Sequence, residues 1–587
     1  MLTKLLIRNF KQFREVEIEL GNPVVFVGPN NSGKTTALQA LALWNIGLRR
    51  WNEKRAGKAT PGRRPGVTIN RKDLIAIPIP DANLLWRDLR VRDVQRAQGT
   101  QETKNIRVDI EVEGVTRDVV WSCGLEFDYA NEESFYCRPL RLSDEKSPER
   151  MPIPEQAADV SVAYLPPMSG LSSNETRLEP GAINVRLGEG RTAEVLRNLC
   201  YQVVSQPSGD QRWKLICDRI RQLFGASLDE PRYIAERGEI AMTYRTQKDI
   251  RLDLASSGRG MQQVLLLLAH IELNSRCILL LDEPDAHLEI LRQRQTYELL
   301  TRAAAEHACQ IIIASHSEVI LNEAANRDVV VAFVGQPHRI DDRRDQVRKA
   351  LREISYDQFL LAEQTGWVLY LEGSTDLAIL QAFATILQHP AQHVLKRPFV
   401  RYIANQPAAA RNHFRGLREA KPDLVGFLLC DRLDRPLQPT AELRESMWER
   451  REIENYLCQP ETLLAFAEAH DRDAHGPLFA GPETARQRQA MEDSIHDHVP
   501  RAALRNRSDR WWIDTKTSDD VLDRVFESYL QRLNLPNSLL KKQDYHILAR
   551  FVSPAAISPE VPQMLDQIFE ISEAARPRGL PGKQSSH

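Results

Sequence analysis

The stretch Val24-Val25-Phe26-Val27-Gly28-Pro29-Asn30-Asn31-Ser32-Gly33-Lys34-Thr35-Thr36 constrains this chain more than any other. Asn22-Pro23 interrupts the chain just before it, and a helical pattern follows from Thr35. A short buried strand, a glycine-bounded loop and a helix are predicted in that order. That order belongs to a parallel α/β layer, in which a strand's carboxyl end opens onto a helix's amino end. Gly28 to Thr35 fits G-x-x-x-x-G-K-[ST], whose glycines let backbone N–H groups face phosphates. Gly28, Asn31, Gly33, Lys34, Thr35 and Thr36 are therefore candidate ATP-binding residues. Lys34 is expected to reach the β- and γ-phosphates, and the Thr35 hydroxyl to ligate Mg²⁺.

Two later strand ends complete that chemistry. Cys277-Ile278-Leu279-Leu280-Leu281 is an apolar run that delivers Asp282 and Glu283. Asp282 is expected to hold Mg²⁺, directly or through water, and Glu283 to polarise the attacking water. Gln310 to Ala314 is a second buried run, and His316 after it is placed to sense the γ-phosphate. Ser256-Ser257-Gly258-Arg259-Gly260 opens a helix with small residues, so Ser257 and Gly258 can bind a phosphate presented by another subunit. Gln95 and Gln98 are candidates, by position alone, for a glutamine linking the metal to a moving lobe.

A second acidic set follows. Val368-Leu369-Tyr370-Leu371 delivers Glu372 to a strand end, Gly373 permits a tight turn, and Asp376 falls in the first turn of the next helix. Leu424 to Leu429 delivers Asp431, with Asp434 three residues on. Singly, each acid reads as a helix cap or a surface group. As two ordered strand-acid units they form a set of hard oxygen donors suited to Mg²⁺ or Mn²⁺, and two such ions can drive phosphodiester cleavage.

Length and composition set the frame. The 587 residues predict several domains, and 42% hydrophobic content is enough for real cores. Residues 1–355 read as the ATPase domain, 366–570 as a smaller α/β unit with a helical extension, and 571–587 as a flexible tail. Ile106 to Trp121 reads as strand, 190 to 224 mainly as helix, and Asp341 to Leu360 as a helical connector. The eight cysteines are scattered without a Cys-x-x-Cys pair, so a zinc site or disulfide framework is not expected. With no signal peptide and no apolar run long enough to span a bilayer, a cytoplasmic protein without membrane contact is expected. The net charge of −2 excludes a globally basic protein, but not local cationic patches. Arg49 to Lys72, with Trp51, and Arg501 to Trp512 are two such patches. Each reads equally as a phosphate-contacting surface or a solvated face.

In this order the ATP-binding motifs, with Asp285-Ala286-His287-Leu288 after Glu283-Pro284, resemble the ABC-type ATPases, in the branch that includes SMC-like and recombination-repair proteins. The resemblance implies head-to-tail dimeric ATP sites closed by Ser257 and Gly258 of the opposite subunit. The second half resembles a Toprim domain, a glutamate after one strand and Asp-x-Asp after another, although Leu433 stands where the second aspartate falls. On that resemblance Glu454 supplies a further ligand. Lys542, with Lys541, matches a late lysine that neutralises the transition state, or else stands at a solvated helix end. An ABC-type ATPase followed by a Toprim domain is the layout of the OLD-family endonucleases, including the nuclease subunit of Gabija systems. The resemblance implies an ATP-regulated, divalent-metal-dependent DNA endonuclease in anti-phage defence. It also implies a homodimer or higher homo-oligomer, a helicase or retron partner, and a dimerisation insert near 185–250. Two other readings stand beside it. One is an SMC-like DNA-tethering ATPase, against which the missing heptad array argues. The other is a nucleotide-sensing scaffold with a degenerate Toprim site.

Overall fold

The computed structural model describes the chain apart from residues 56–65, 72–73, 75–76, 78, 98–99, 144–147, 170, 172–173, 326, 342–354, 470–479, 536–541 and 579–587. It divides into two compact units, Met1–Arg343 and Arg344–His587. Both are α/β. No helix among the described residues is long and apolar enough to cross a membrane. All eight cysteines are free thiols.

In the first unit, β1 (Leu2–Phe10) and β2 (Phe13–Glu19) form a hairpin that turns through Lys11 at φ 48°. β3 (Val24–Val27) is buried at all four positions and feeds α1 (Lys34–Arg55). Next come β4 (Val67–Asn70), β5 (Val108–Thr116), β6 (Val119–Asn131) and β7 (Ser134–Pro139). These build a six-stranded antiparallel sheet in the order β2-β1-β5-β6-β7-β4. The stretch expected as one strand over Ile106 to Trp121 is instead a hairpin. Arg117 and Asp118 both take positive φ, 50° and 63°, and turn the chain back. That two-residue geometry usually announces itself as Asn-Gly or Asp-Gly, and Arg-Asp hides it.

β8 (Val162–Leu165) is followed by α2 (Leu196–Ser205) and α3 (Gly209–Phe224). Ser208 at φ 62° separates those two helices within the segment expected to be helical. Beyond Phe224 the chain turns to short antiparallel strands, Ser227–Leu228, Thr243–Arg245 and Arg251–Asp253. Then come α4 (Arg259–Leu273), β9 (Ile278–Asp282), β10 (Gln310–Ser315), β11 (Val329–Ala332) and β12 (His338–Arg339). They complete a second six-stranded sheet, β8-β9-β10-β3-β11-β12, parallel except for its last pair. α1 touches strands of both sheets, so Leu38, Leu41 and Trp44 join one core with Leu5, Ile110 and Leu125 on one side and Phe26, Leu280 and Ile312 on the other. Apolar runs buried on both faces are what a covered parallel sheet requires.

The second unit begins with α5 (Tyr356–Thr365), β13 (Trp367–Leu371) and α6 (Ser374–Ile386). β14 (Val400–Tyr402), α7 (Pro407–Ala420), β15 (Val425–Cys430) and β16 (Leu443–Met447) follow. The four strands are all parallel, in the order β14-β13-β15-β16. From β13 the chain steps outward to β14, then returns past β13 to β15. The direction of winding therefore reverses between β13 and β15, and right-handed crossovers then place α6 and α7 on opposite faces. The remainder is mostly helical, and Phe466, Met491, Phe526 and Ile568 of those helices join Ile379 and Phe383 of α6 in one core.

Candidate functional site

The first site lies at the carboxyl ends of β3, β9 and β10. Gly28 and Gly33 take φ of 152° and 107°, and Asn31 takes 62°, so the loop is shaped by left-handed residues. Gly33 has a second constraint. A Cβ there would come within 2.3 Å of the Gln12 side-chain nitrogen and 2.5 Å of the Phe13 ring. The β1–β2 turn is thus packed against the loop, a contact no motif announces. Lys34 opens α1 and donates to the carbonyls of Gly28 at 2.8 Å and Pro29 at 2.9 Å. Burial holds the Lys34 ammonium below its usual pKa, against the opposing pull of Glu283, Asp282 and Asp285. A half-desolvated cation held by loop carbonyls is ready to exchange them for phosphate oxygens.

Thr35 Oγ1 donates to Asp282 Oδ1 at 3.2 Å, and the Tyr164 hydroxyl donates to Asp282 Oδ2 at 3.3 Å. Burial pushes Asp282 up to about 6, with the Glu283 charge adding to the shift and the Thr35 and Tyr164 hydrogen bonds opposing it. Glu283 follows at φ 49° and lies 3.5 Å from His316 Nδ1. Beneath them Ser315 Oγ donates to Asp285 Oδ1 at 2.8 Å, tying the ends of β9 and β10 together. The structure thus joins Lys34, Thr35, Asp282, Glu283 and His316 around one strand-end cleft, with Thr36 in the first turn of α1. Tyr164 and Gln12 were missed, since nothing near either in sequence marks it. Gln95 lies on the short strand Arg92–Ala97; its side chain and residue 98 fall outside the described residues.

Ser257 and Gly258 precede α4. Ser257 Oγ donates to the Leu254 carbonyl at 2.7 Å, while a Cβ on Gly258 would meet nothing within 4 Å. Both line a cavity of about 750 Å³ with Phe224, Tyr244, Met261, His287 and Arg292, and none of Gly28–Thr36 lines it.

The second site stands where the winding of the parallel sheet reverses. In open α/β sheets the crevice outside such strand ends is where ligands bind. Glu372 and Asp431 directly follow the neighbouring strands β13 and β15. Burial first, then a hydrogen bond and charge repulsion from Glu372, raises Asp431 far above the carboxylate range, with Asp376 and Glu454 adding to the repulsion. Asp376 Oδ2 accepts from the Glu372 backbone N–H at 3.0 Å, which folds the strand end back onto the first turn of α6. Burial, with repulsion from Glu372, pushes Asp376 up to about 6. Glu454 is buried and pushed up to about 8 by burial, then by Glu452 and Asp376. Four predicted acids therefore share one field. No set of three or more His, Cys, Asp or Glu side chains among the described residues forms a ready metal cage, so the four acids are neighbours in charge without converging on one point. Asp434 is exposed on the loop after Asp431.

Lys542 stands beside this cluster. Its Nζ donates to Ser518 Oγ and Asp519 Oδ1, both at 2.9 Å. Asp519 also pairs with Lys516 at 2.6 Å. Glu452 accepts from Ser518 N–H and Oγ, so the Lys542 segment is fastened to the loop that carries Glu454. Residue 541 lies outside the described residues. Sequence reading missed Lys516, Ser518 and Glu452, because only tertiary packing brings Thr517–Asp519 to this place.

Two family models match segments of the first unit. An "AAA ATPase domain" family model matches residues 1–53. An "AAA domain" model, whose description carries the words AbiEii toxin and Type IV TA system, matches residues 209–322. No curated protein matches. Among solved structures, an Smc head bound to the C-terminal winged-helix domain of ScpA matches at 14% identity and a TM-score of 0.34, covering 58% of this chain and 97% of that one. An SMC head domain from Thermotoga maritima matches at 15% identity and a TM-score of 0.30, over 58% of this chain and 99% of its own. The Smc head of Pyrococcus furiosus with an extended coiled coil, bound to the C-terminal domain of ScpA, matches at 14% identity and 0.32, over 60% and 99%. The chain carries an AAA-type ATPase domain, whose matched segments hold the Gly28–Thr36 loop and the Asp282-Glu283 strand end.

Proposed function

We propose that the protein is an ATP-regulated, divalent-metal-dependent DNA endonuclease of the OLD type. The observation that carries this reading is the meeting of Glu372 and Asp431 at a sheet switch point, with Asp376 and Glu454 in the same field. Ordinary fold stability gives no reason to gather four repelling carboxylates, with Asp376 and Glu454 buried and the other two half-buried. Hard oxygen donors that repel one another suit Mg²⁺ or Mn²⁺. Glu372, Asp376, Asp431 and Glu454 would hold the ions, and Asp434 is within sequence reach as an exposed auxiliary ligand. Bound divalent cations supply a nucleophilic hydroxide and charge for the leaving oxygen. Lys542, anchored by Ser518 and Asp519, supplies a positive charge to the phosphate in the transition state.

At the ATP site, Lys34 exchanges its carbonyl partners for phosphate, Thr35 and Asp282 hold Mg²⁺, and Glu283 orients water with His316 beside it. Ser257 and Gly258 would close the ATP site of a second copy, making the working unit a homodimer or larger homo-oligomer. Anti-phage defence, with a helicase or retron partner, follows only from the family resemblance.

The reading is tested by incubating a labelled DNA duplex with protein and Mn²⁺, comparing wild type with Asp431→Asn and Lys542→Met. Cleavage by wild type, with a loss of about 10²-fold or more in each variant, is expected. Unchanged cleavage in Asp431→Asn removes the nuclease assignment. A protein that hydrolyses ATP and cleaves no DNA under any metal favours the scaffold reading.

A further inference from the structure

The first unit holds a second cavity, of about 640 Å³, that none of Gly28–Thr36 lines. It lies where the later turns of α1, the edge strand β8 and the end of α4 come together. Its volume is that of an ordinary small-molecule site. Its wall carries Asn45, Arg49, Asn184, Gln202, Gln206 and His270.

Three features of that wall point to a ligand. His270 lines it, is 4% exposed, and neither ring nitrogen makes a full hydrogen bond among the described residues. The Ala163 backbone bears on the ring, short of hydrogen-bond geometry. A buried imidazole with an unmet donor or acceptor is costly, and a bound ring or hydroxyl would satisfy it. Arg49 lines it and is exposed, and among the described residues no carboxylate is paired with it, whereas its neighbour Arg50 is paired with Glu53. A guanidinium fork matches a phosphate. Gln202, half-buried, lines the same cavity, and its amide can read a polar ring.

We propose that this cavity binds an organic phosphate of mononucleotide size, with its phosphate at Arg49 and its hydrogen-bonding ring against Gln202 and His270. The site communicates with the ATP site. Val162, Ala163 and Tyr164 of β8 form one wall, and the Tyr164 hydroxyl is bonded to Asp282. An occupant that shifts β8 moves the hydroxyl that holds the metal-binding carboxylate. The proposal rests on the first unit alone and does not depend on nuclease activity.

The test uses the full chain carrying Lys34→Ala, so that the ATP site contributes little. Binding of the four ribonucleoside 5′-monophosphates is measured by calorimetry, with ribose 5-phosphate and inorganic phosphate as separate arms. Saturable binding of at least one monophosphate is expected, weakened tenfold or more by Arg49→Glu and by Gln202→Leu. Both changes leave the core intact, and thermal melting checks the fold. Ribose 5-phosphate is expected to bind more weakly than the monophosphate. In the otherwise wild-type chain, the same monophosphate is expected to change the ATPase rate, and Tyr164→Phe to abolish that change. No binding by any monophosphate, or binding indifferent to Arg49→Glu, overturns the proposal. Equal binding of inorganic phosphate and monophosphate overturns the ring-reading part of it.

Discussion

Thr35 and Asp282 stand 247 residues apart and meet through a 3.2 Å hydrogen bond from hydroxyl to carboxylate. One opens a helix, the other ends a strand, and β10 lies between their strands in the sheet. The contact preforms the pair that would hold Mg²⁺, while Glu283 beyond it, 3.5 Å from His316 Nδ1, is placed to act on water. Glu283→Gln is therefore expected to retain ATP binding and lower hydrolysis about 10²–10⁴-fold. Fluorescent-nucleotide binding alongside phosphate release measures both. Hydrolysis unchanged in Glu283→Gln removes it as the water-orienting residue.

Lys34→Ala is expected to fail one step earlier, losing ATP binding itself. Because Lys34 is held by loop carbonyls and is partly desolvated, its removal should not destabilise the fold. The melting temperature without nucleotide should match wild type, and the upward shift on adding ATP should vanish.

The acid cluster of the second unit sets up an opposite pairing of stability and function. Asp431 is repelled by Glu372, Asp376 and Glu454. Asp431→Asn should therefore raise the melting temperature of the metal-free protein, by a stabilisation of about 1 kcal/mol. It should also erase the stabilisation that Mn²⁺ gives wild type. Chelation of wild type should mimic the loss of the Mn²⁺ shift but not the gain from the substitution.

Two buried histidines give a pH dependence with a defined sign. Burial lowers His270 from 6.5 to about 4 and His413 from 6.5 to about 3. His413 is fixed neutral, accepting from the Tyr370 hydroxyl at 2.8 Å and donating to Gln358 at 2.5 Å. Below pH 6.5 the unfolded chain takes up protons that the folded chain refuses, so this contribution is complete above 6.5 and lost as pH falls toward 3. Wild type should lose about 1.4 kcal/mol more per pH unit than His413→Gln between pH 6 and 4. Parallel urea melts at several pH values measure the slopes, and equal slopes contradict the assignment.

Glu126 is fully buried on β6, 2.9 Å from both Arg141 and Arg150. Glu126→Ala removes the carboxylate those two guanidinium groups share, leaving Arg141 with Asp109 at 3.2 Å, and should cost about 3–5 kcal/mol. Equilibrium unfolding of the isolated variant would show it, and a change below ~1 kcal/mol would make the cluster a surface feature.

The α/β class was legible because its strands are short, apolar and end in glycine or acid. Val24–Val27 and Trp367–Leu371 fall where the run of apolar residues puts them. What stayed hidden has a common cause. The Arg117-Asp118 turn lacks glycine, β8 is a four-residue edge strand, and Thr517–Asp519 reaches the acid cluster only through packing of distant helices. Motifs mark residues that lie next to one another in sequence. Tyr164 beside Asp282 and Ser518 beside Glu452 are products of tertiary register, which a single sequence does not print.

Plasmid cleavage with Mg²⁺ or Mn²⁺, with and without ATP, in wild type, Glu372→Ala and Lys34→Ala decides the nuclease assignment. Wild type is expected to cleave, Glu372→Ala to lose cleavage, and Lys34→Ala to keep the cleavage chemistry with a changed response to ATP. Cleavage by Glu372→Ala at the wild-type rate, or no cleavage by a wild-type protein that still hydrolyses ATP, would contradict that assignment.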